Sequence, residues 1–161
     1  MSNARQLAKL KVWLSDSSKV AVVGVGNTMR RDDAAGVEAV KLLRSRVSPN
    51  VLLIEAETMP EDYIDQIVSF HPSHILILDS GFIGEKPGSA KLLAPTDNLK
   101  AAVSSHMLPL QVFCVYLEKA SNAKIMMLII QPKVTDMGED LSKELTEATA
   151  KIRDFLAEIL P

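Results

Sequence analysis

Three observations predict an α/β fold for this chain. Short apolar runs rich in β-branched residues alternate with longer stretches of helical period, the pattern of strands joined by crossover helices. The length, 161 residues, fits the ~100 to 200 residues of one ordinary domain. Hydrophobic residues make up 47% and charged residues 24%, with a mean hydropathy of +0.13, a balance that supports a core and opposes disorder. A single domain over residues 1–161 is therefore expected, with a leader helix inside residues 1–18.

The elements follow in order. Leu7, Leu10 and Leu14 lie on one face of the leader helix, which Ser15-Asp16-Ser17-Ser18 ends. Val20 to Val25 reads as a buried strand, too short for a helix. A helix is predicted from about Asp33 to Arg46, because Val37, Val40, Leu43 and Val47 share a face. Val51 to Ile54 is the second strand. Pro60 suits a helix start, and Tyr63, Ile64, Ile67 and Val68 supply that helix with an apolar face ending near His71-Pro72. Ile75 to Leu78 is the third strand. The glycine-rich link from Ser80 to Gly88 is shorter than the dozen or so residues a parallel crossover needs, so the strand near Ala90 to Leu93 is predicted to be antiparallel. A polar loop from Pro95 to Ser105 leads to a helix with Pro109 in its first turn. Lys124 to Ile130 is the last strand. Leu141, Leu145, Ala148, Ile152, Phe155 and Ile159, in alternating steps of four and three, mark a closing helix.

Composition excludes several classes of partner. Eighteen basic and 20 acidic side chains leave a formal net charge of −2, which gives no field for nucleic acid or an anionic membrane. Cys114 is the single cysteine, so no intrachain disulfide forms, and its place in an apolar helical run marks it as core. No apolar stretch reaches the ~18 residues of a membrane span, and Met1 to Leu14 lacks the apolar core of a signal peptide. The cytoplasm is the expected compartment.

Chemistry-bearing residues cluster at predicted strand ends. Gly24-Val25-Gly26-Asn27-Thr28-Met29 turns from a strand toward a helix, as a dinucleotide loop would. Met29 stands where the third glycine belongs, and Asp32 and Asp33 place negative charge where phosphate would sit. Asp32 and Asp33 are also natural helix caps. Asp79 ends the third strand. In open α/β sheets ligands bind beyond the carboxyl ends of strands where chain order reverses, so Asp33 and Asp79 are expected to face one crevice. His106, just before a helix, could complete an open divalent-metal set of two carboxylates and one imidazole. His71 and His74 lie at the amino end of the third strand and are expected at the surface. Arg30 and Arg31 are open to a solvated or a substrate-facing reading.

The run Gly24-Val25-Gly26-Asn27-Thr28-Met29-Arg30-Arg31-Asp32-Asp33-Ala34-Ala35-Gly36, with Leu78-Asp79, Ser105-His106 and Ile130-Gln131-Pro132, resembles the hydrogenase maturation endopeptidases in order and spacing from about Val20 to Leu160. The resemblance implies a three-layer α/β/α sandwich with a five-stranded sheet of order 2-1-3-5-4 and strand four antiparallel. It implies removal of the C-terminal extension of the nickel-iron hydrogenase large-subunit precursor after nickel insertion, with Asp33, Asp79 and His106 as catalytic and metal-contacting residues. Gly24, Gly26, Asn27, Asp32 and Glu55, the acid that ends strand two, are supporting positions, Asp32 chiefly as a cap. Ala34, Ala56 and Glu57 stand where family members often have glycine. The implied metal is nickel brought by the precursor, with no nucleotide, and its role is to polarise the scissile carbonyl or acidify a bound water. A pair of aspartates sharing a proton is the other hydrolytic mechanism open to Asp33 and Asp79. Two further classes remain open from the residues: a nucleotide-binding regulatory module built on Gly24 and Gly26, and a nickel-sensing chaperone that does not cleave.

Overall fold

The structure is a computed structural model that describes residues 3–97 and 107–161. Its strands are β1 (Val20–Val25), β2 (Val51–Glu57), β3 (His74–Ser80), β4 (Ala90–Leu93) and β5 (Lys124–Ile130). Its helices are α1 (Asn3–Leu14), α2 (Ala35–Leu42), α3 (Ile64–Phe70), α4 (Met107–Ser121) and α5 (Lys143–Ile159). The strands form one mixed sheet in the order β2-β1-β3-β5-β4, parallel except for the β4–β5 pair. The short link before β4 predicted that reversal.

β1 and β3 are buried at every position, which explains their unbroken apolar sequence: both faces of a central parallel strand are covered. On one face Ala21, Val23, Ile75, Ile77 and Met127 meet Ile67 of α3 and Cys114 and Leu117 of α4. On the other, Val20, Val22, Leu76, Leu78 and Leu128 meet Leu10 of α1, Val40 of α2, and Leu145, Ile152 and Leu156 of α5. The result is the three-layer α/β/α arrangement. α1 also seals the free edge of β4: the Gln6 side-chain oxygen accepts from Leu92 N at 2.9 Å, and Asn3 Oδ1 accepts from Ala90 N at 2.9 Å. An unpaired strand edge is thereby closed by side chains rather than by another strand.

Three boundaries differ from the sequence reading. β2 runs on to Glu57 instead of stopping near Ile54, because the register slips between Gly24 and Val25 and pairs Val25 with Glu57. The helix predicted from Asp33 to Arg46 is a 3-10 turn at Arg31–Ala34 followed by an α-helix that ends at Leu42. β3 begins at His74, so this histidine is not at the surface. It is 2% exposed, with Nδ1 2.8 Å from Ser73 Oγ, Nε2 3.1 Å from Asp16 Oδ1 and the Trp13 ring edge-on at 4.8 Å. His71, in contrast, is exposed and closes α3 in the left-handed conformation.

The contact that positions the functional edge is glycine on backbone. A Cβ on Gly36, in the first turn of α2, would stand 2.1 Å from Leu78 O of β3 and 2.9 Å from Val25 O of β1. Only glycine lets the start of α2 rest on both strands. Gly36→Ala is expected to lower stability by about 3 kcal/mol, the upper end for overpacking a core, because the obstruction is backbone that cannot rotate away. Thermal melting checks this, with Ala35→Gly as a comparison that adds no volume.

Candidate functional site

Chain order reverses between β1 and β3, since β1 leads to β2 on one side and β3 lies on the other. The crevice expected there is built by the turn after β1 and the last residues of β3. Gly26 has φ +144, and a Cβ on it would lie 2.0 Å from Asp33 O, so the 3-10 turn folds back directly onto the glycine loop. The turn is filled by the chain's own backbone. Asn27 closes it twice, accepting from Met29 N on Oδ1 at 2.9 Å and donating its backbone N–H to Asp33 Oδ2 at 2.8 Å. Asp33, 7% exposed, is thus held from the β1 side.

Asp79 and Ser80 end β3, and alternation along a strand sends their side chains to opposite faces. Asp79 is fully buried and accepts from Ser80 N on Oδ1 at 2.8 Å. The Ser80 hydroxyl, 2% exposed as a residue, donates to Asp33 Oδ1 at 3.1 Å. One residue therefore ties both carboxylates, the backbone amide to Asp79 and the hydroxyl to Asp33. Sequence reasoning passed over Ser80. The signal was present, because the residue after a strand-ending acid must point toward the turn that carries Asp33.

Asp32 does different work from the cap it was expected to be. The 3-10 turn is capped by no side chain, and the Asp32 carboxylate, fully buried, faces away from its own helix. It accepts from Lys133 N at 2.9 Å, Val134 N at 3.0 Å, Ser142 N at 2.7 Å and Ser142 Oγ at 2.8 Å. Four donors satisfy a buried anion and fasten the loop after β5 to the turn after β1. Ser142 in turn caps α5 by accepting from Leu145 N.

Glu55 lies inside β2 rather than at its end, and its carboxylate pairs with Arg44 beyond α2. The acid at the strand end is Glu57, whose carbonyl accepts from Gly26 N at 2.8 Å and whose carboxylate accepts from Thr28 Oγ1 at 3.2 Å. Gly24 has a packing role, since a Cβ there would meet Gly36 O at 2.7 Å. Arg30 donates Nε to Thr135 O at 3.1 Å, and Arg31 donates Nε to Asp140 O at 3.0 Å, so both help to hold the loop after β5. Cys114 is fully buried, and burial pushes its thiol up to about 12, which suits a core residue and not a nucleophile. His106 falls outside the described residues. Among the described residues no three His, Cys, Asp or Glu side chains gather as a metal set, and no helix is long and apolar enough to cross a membrane.

Fold and crevice together define a doubly wound α/β protein with two buried carboxylates joined at its switch point. The family model for HycI, hydrogenase maturation protease, matches residues 37–160. A Methanocaldococcus jannaschii protein named for the same family is 32% identical over 155 residues, 91% of each chain. The hydrogenase 3 maturation protease of Escherichia coli K12 is 26% identical over 129 residues, 80% of this chain and 82% of that one. The crystal structure of a [NiFe] hydrogenase maturation protease HycI from Thermococcus kodakarensis superposes with a TM-score of 0.87 at 31% identity, covering 94% of this chain and 98% of the other. The chain belongs to the hydrogenase maturation protease family, which places it among the hydrolases.

The Asp32 geometry sets a measurable expectation. Asp32→Ala leaves buried N–H groups without an acceptor, at about 1 to 3 kcal/mol for such a group, so a total loss of about 3 kcal/mol or more is expected in denaturant melts. Asp32→Asn keeps the shape but turns one acceptor into a donor, and it should also destabilise, by about 2 kcal/mol. A loss near 0.5 kcal/mol for either variant would remove the tie between the two loops.

Proposed function

We propose that the chain is an endopeptidase that removes the C-terminal extension of a nickel-iron hydrogenase large-subunit precursor once nickel is in place, using the substrate's own nickel as its docking handle. The observation that carries the reading is the pairing of Asp33 and Asp79 through Ser80 at the switch point of the sheet. Family membership supplies the class of reaction, and the names of the E. coli and T. kodakarensis relatives point to hydrogenase precursors. Two carboxylates with one imidazole suit a borderline divalent ion, so Asp33, Asp79 and His106 are the proposed contacts to nickel held by the precursor. The bound nickel supplies Lewis-acid chemistry toward the scissile carbonyl or a water.

The chain's own groups do the positioning. Asn27 N and Ser80 Oγ fix the two oxygens of Asp33, and Ser80 N fixes Asp79, so the carboxylates are set before substrate arrives. Asp32, Arg30 and Arg31 hold the loop after β5 beside that pair. The cytoplasm is the compartment this reading implies, because the precursor partner is met there before assembly.

Incubation with nickel-loaded and nickel-free precursor, followed by mass measurement of the product, tests the proposal. Shortening of the loaded form alone is expected; equal cleavage of both, or of neither, overturns it. Asp79→Asn and His106→Ala are expected to lower cleavage by at least ~100-fold, the scale for losing a group that acts in the reaction, while circular dichroism stays that of the parent protein.

A further inference from the structure

Large apolar side chains left exposed among the described residues are spread unevenly over the two ends of the sheet. Met29, Met59, Phe82 and Met137 lie in the loops that follow β1, β2, β3 and β5, one for each of the mutually parallel strands. The described links at the opposite end, residues 15–19, 43–50, 71–73, 94–97 and 122–123, expose none. Exposed apolar residues scattered singly are ordinary on a protein surface. One on every loop at the edge that carries Asp33 and Asp79, and none at the other end, is a pattern of the kind that marks an interaction site.

Backbone pairing brings these side chains together. Gly138 N donates to Met29 O at 2.9 Å and Arg31 N donates to Gly138 O at 2.9 Å, which sets Arg30 opposite Gly138 in a parallel bridge. Met137 precedes Gly138 as Met29 precedes Arg30, so the two methionines come side by side. Met59 is brought toward the same turn from β2: Thr28 Oγ1 donates at 3.2 Å to Glu57, two residues before Met59. Phe82 follows β3 on a backbone held on both sides, because Gly81 N donates to Ile130 O at 3.0 Å and Ile83 N to the Gln131 side-chain oxygen at 2.7 Å. The carboxylates tied by Ser80 thus lie between the turn that carries the methionine pair and the link that carries Phe82.

Composition and width point to the occupant. Methionine, phenylalanine and arginine are enriched at protein interfaces, and here three methionines and a phenylalanine stand beside Arg30 and Arg31. The unbranched, polarizable methionine side chain adapts to an irregular partner. Met59 and Phe82 come from strands two spacings apart, ~10 Å at the usual strand separation, which is two chain widths. A single extended peptide laid across the carboxylates leaves part of this rim bare, whereas a folded surface covers it. Whatever covers the rim also covers the crevice, so a second copy of this chain would shut the carboxylates off from substrate, while a protein substrate seated there would be delivered to them.

We propose that Met29, Met59, Phe82 and Met137 form a docking surface for an apolar patch on the folded body of the precursor, outside the segment that is cleaved. The proposal rests on the proteolytic reading above for the identity of the partner.

NMR of the intact protein with methyl-labelled methionine, titrated with an excess of nickel-loaded large-subunit precursor, tests the surface directly. The ε-methyl signals of Met29, Met59 and Met137 are expected to shift, and that of the fully buried Met127 to stay in place. Signals that stay still while the precursor is cleaved overturn the docking surface and leave the proteolytic reading standing. Shifts without cleavage do the reverse, and neither shift nor cleavage overturns both. Kinetics give a second readout. Met29→Gln combined with Met137→Gln, and separately Phe82→Ser, are expected to raise KM for the precursor roughly tenfold or more, with kcat and melting temperature unchanged. Met29→Leu combined with Met137→Leu should keep the parent KM, and so should Val112→Gln on the exposed face of α4. An unaltered KM in the glutamine variant overturns the proposal, as does a dimer of the free protein in light scattering that the same two substitutions dissociate.

Discussion

Backbone-on-backbone packing between the turn after β1 and the end of β3 sets the geometry at the carboxyl edge of the sheet. Gly26 admits Asp33 O, and Gly36 admits Leu78 O, at spacings that any Cβ would forbid. With the turn seated that closely, a serine side chain at the end of β3 is long enough to reach Asp33. A looser seat would leave the two carboxylates on separate elements with no common partner. The glycines that invite comparison with a phosphate loop serve here to bring peptide against peptide, and the space they create is taken by the chain itself.

Adjacent acids on that turn have separate tasks because of its pitch. In a 3-10 turn successive side chains diverge by about 120°, so Asp32 and Asp33 cannot share a direction. Asp32 is turned to the loop after β5, where four donors meet it. Asp33 is turned to β3 and the crevice. The first is a buried anion made tolerable by complete hydrogen bonding, and the second is a carboxylate aimed by its neighbours. Loss of Asp32 would loosen the loop that Arg30 and Arg31 also grip, so its influence on the crevice passes through the backbone.

The fold was largely legible because periodicity reports burial. β1, β4 and β5 lie where their apolar runs place them, and the antiparallel strand followed from the length of a single link. What escaped depended on contacts distant in sequence. His74 reads as a polar residue at a strand's start, and only the approach of Asp16 and Trp13 from the end of α1 explains its burial. Asp32 carries a cap's sequence signature, yet its donors lie a hundred residues on. The extension of β2 to Glu57 comes from a register slip that no local pattern records. The crevice itself was predictable from topology, which brings the ends of β1 and β3 together whatever the side chains; which acid faces it was decided by the pitch of the turn.

Charge at this edge supplies the remaining step. Asp33 and Asp79 are linked through one residue, and Asp33 stands on a turn that also carries Asp32, Arg30 and Arg31. Like charges in a poorly solvated crevice repel, so keeping two carboxylates at one edge costs stability. Proteins keep such local strain where function needs it, at a cost to stability. On the proposed function the substrate's nickel adds positive charge at these carboxylates. A precursor without nickel brings no such charge, so on this reading discrimination between finished and unfinished substrate follows from carboxylates already positioned in the free protein.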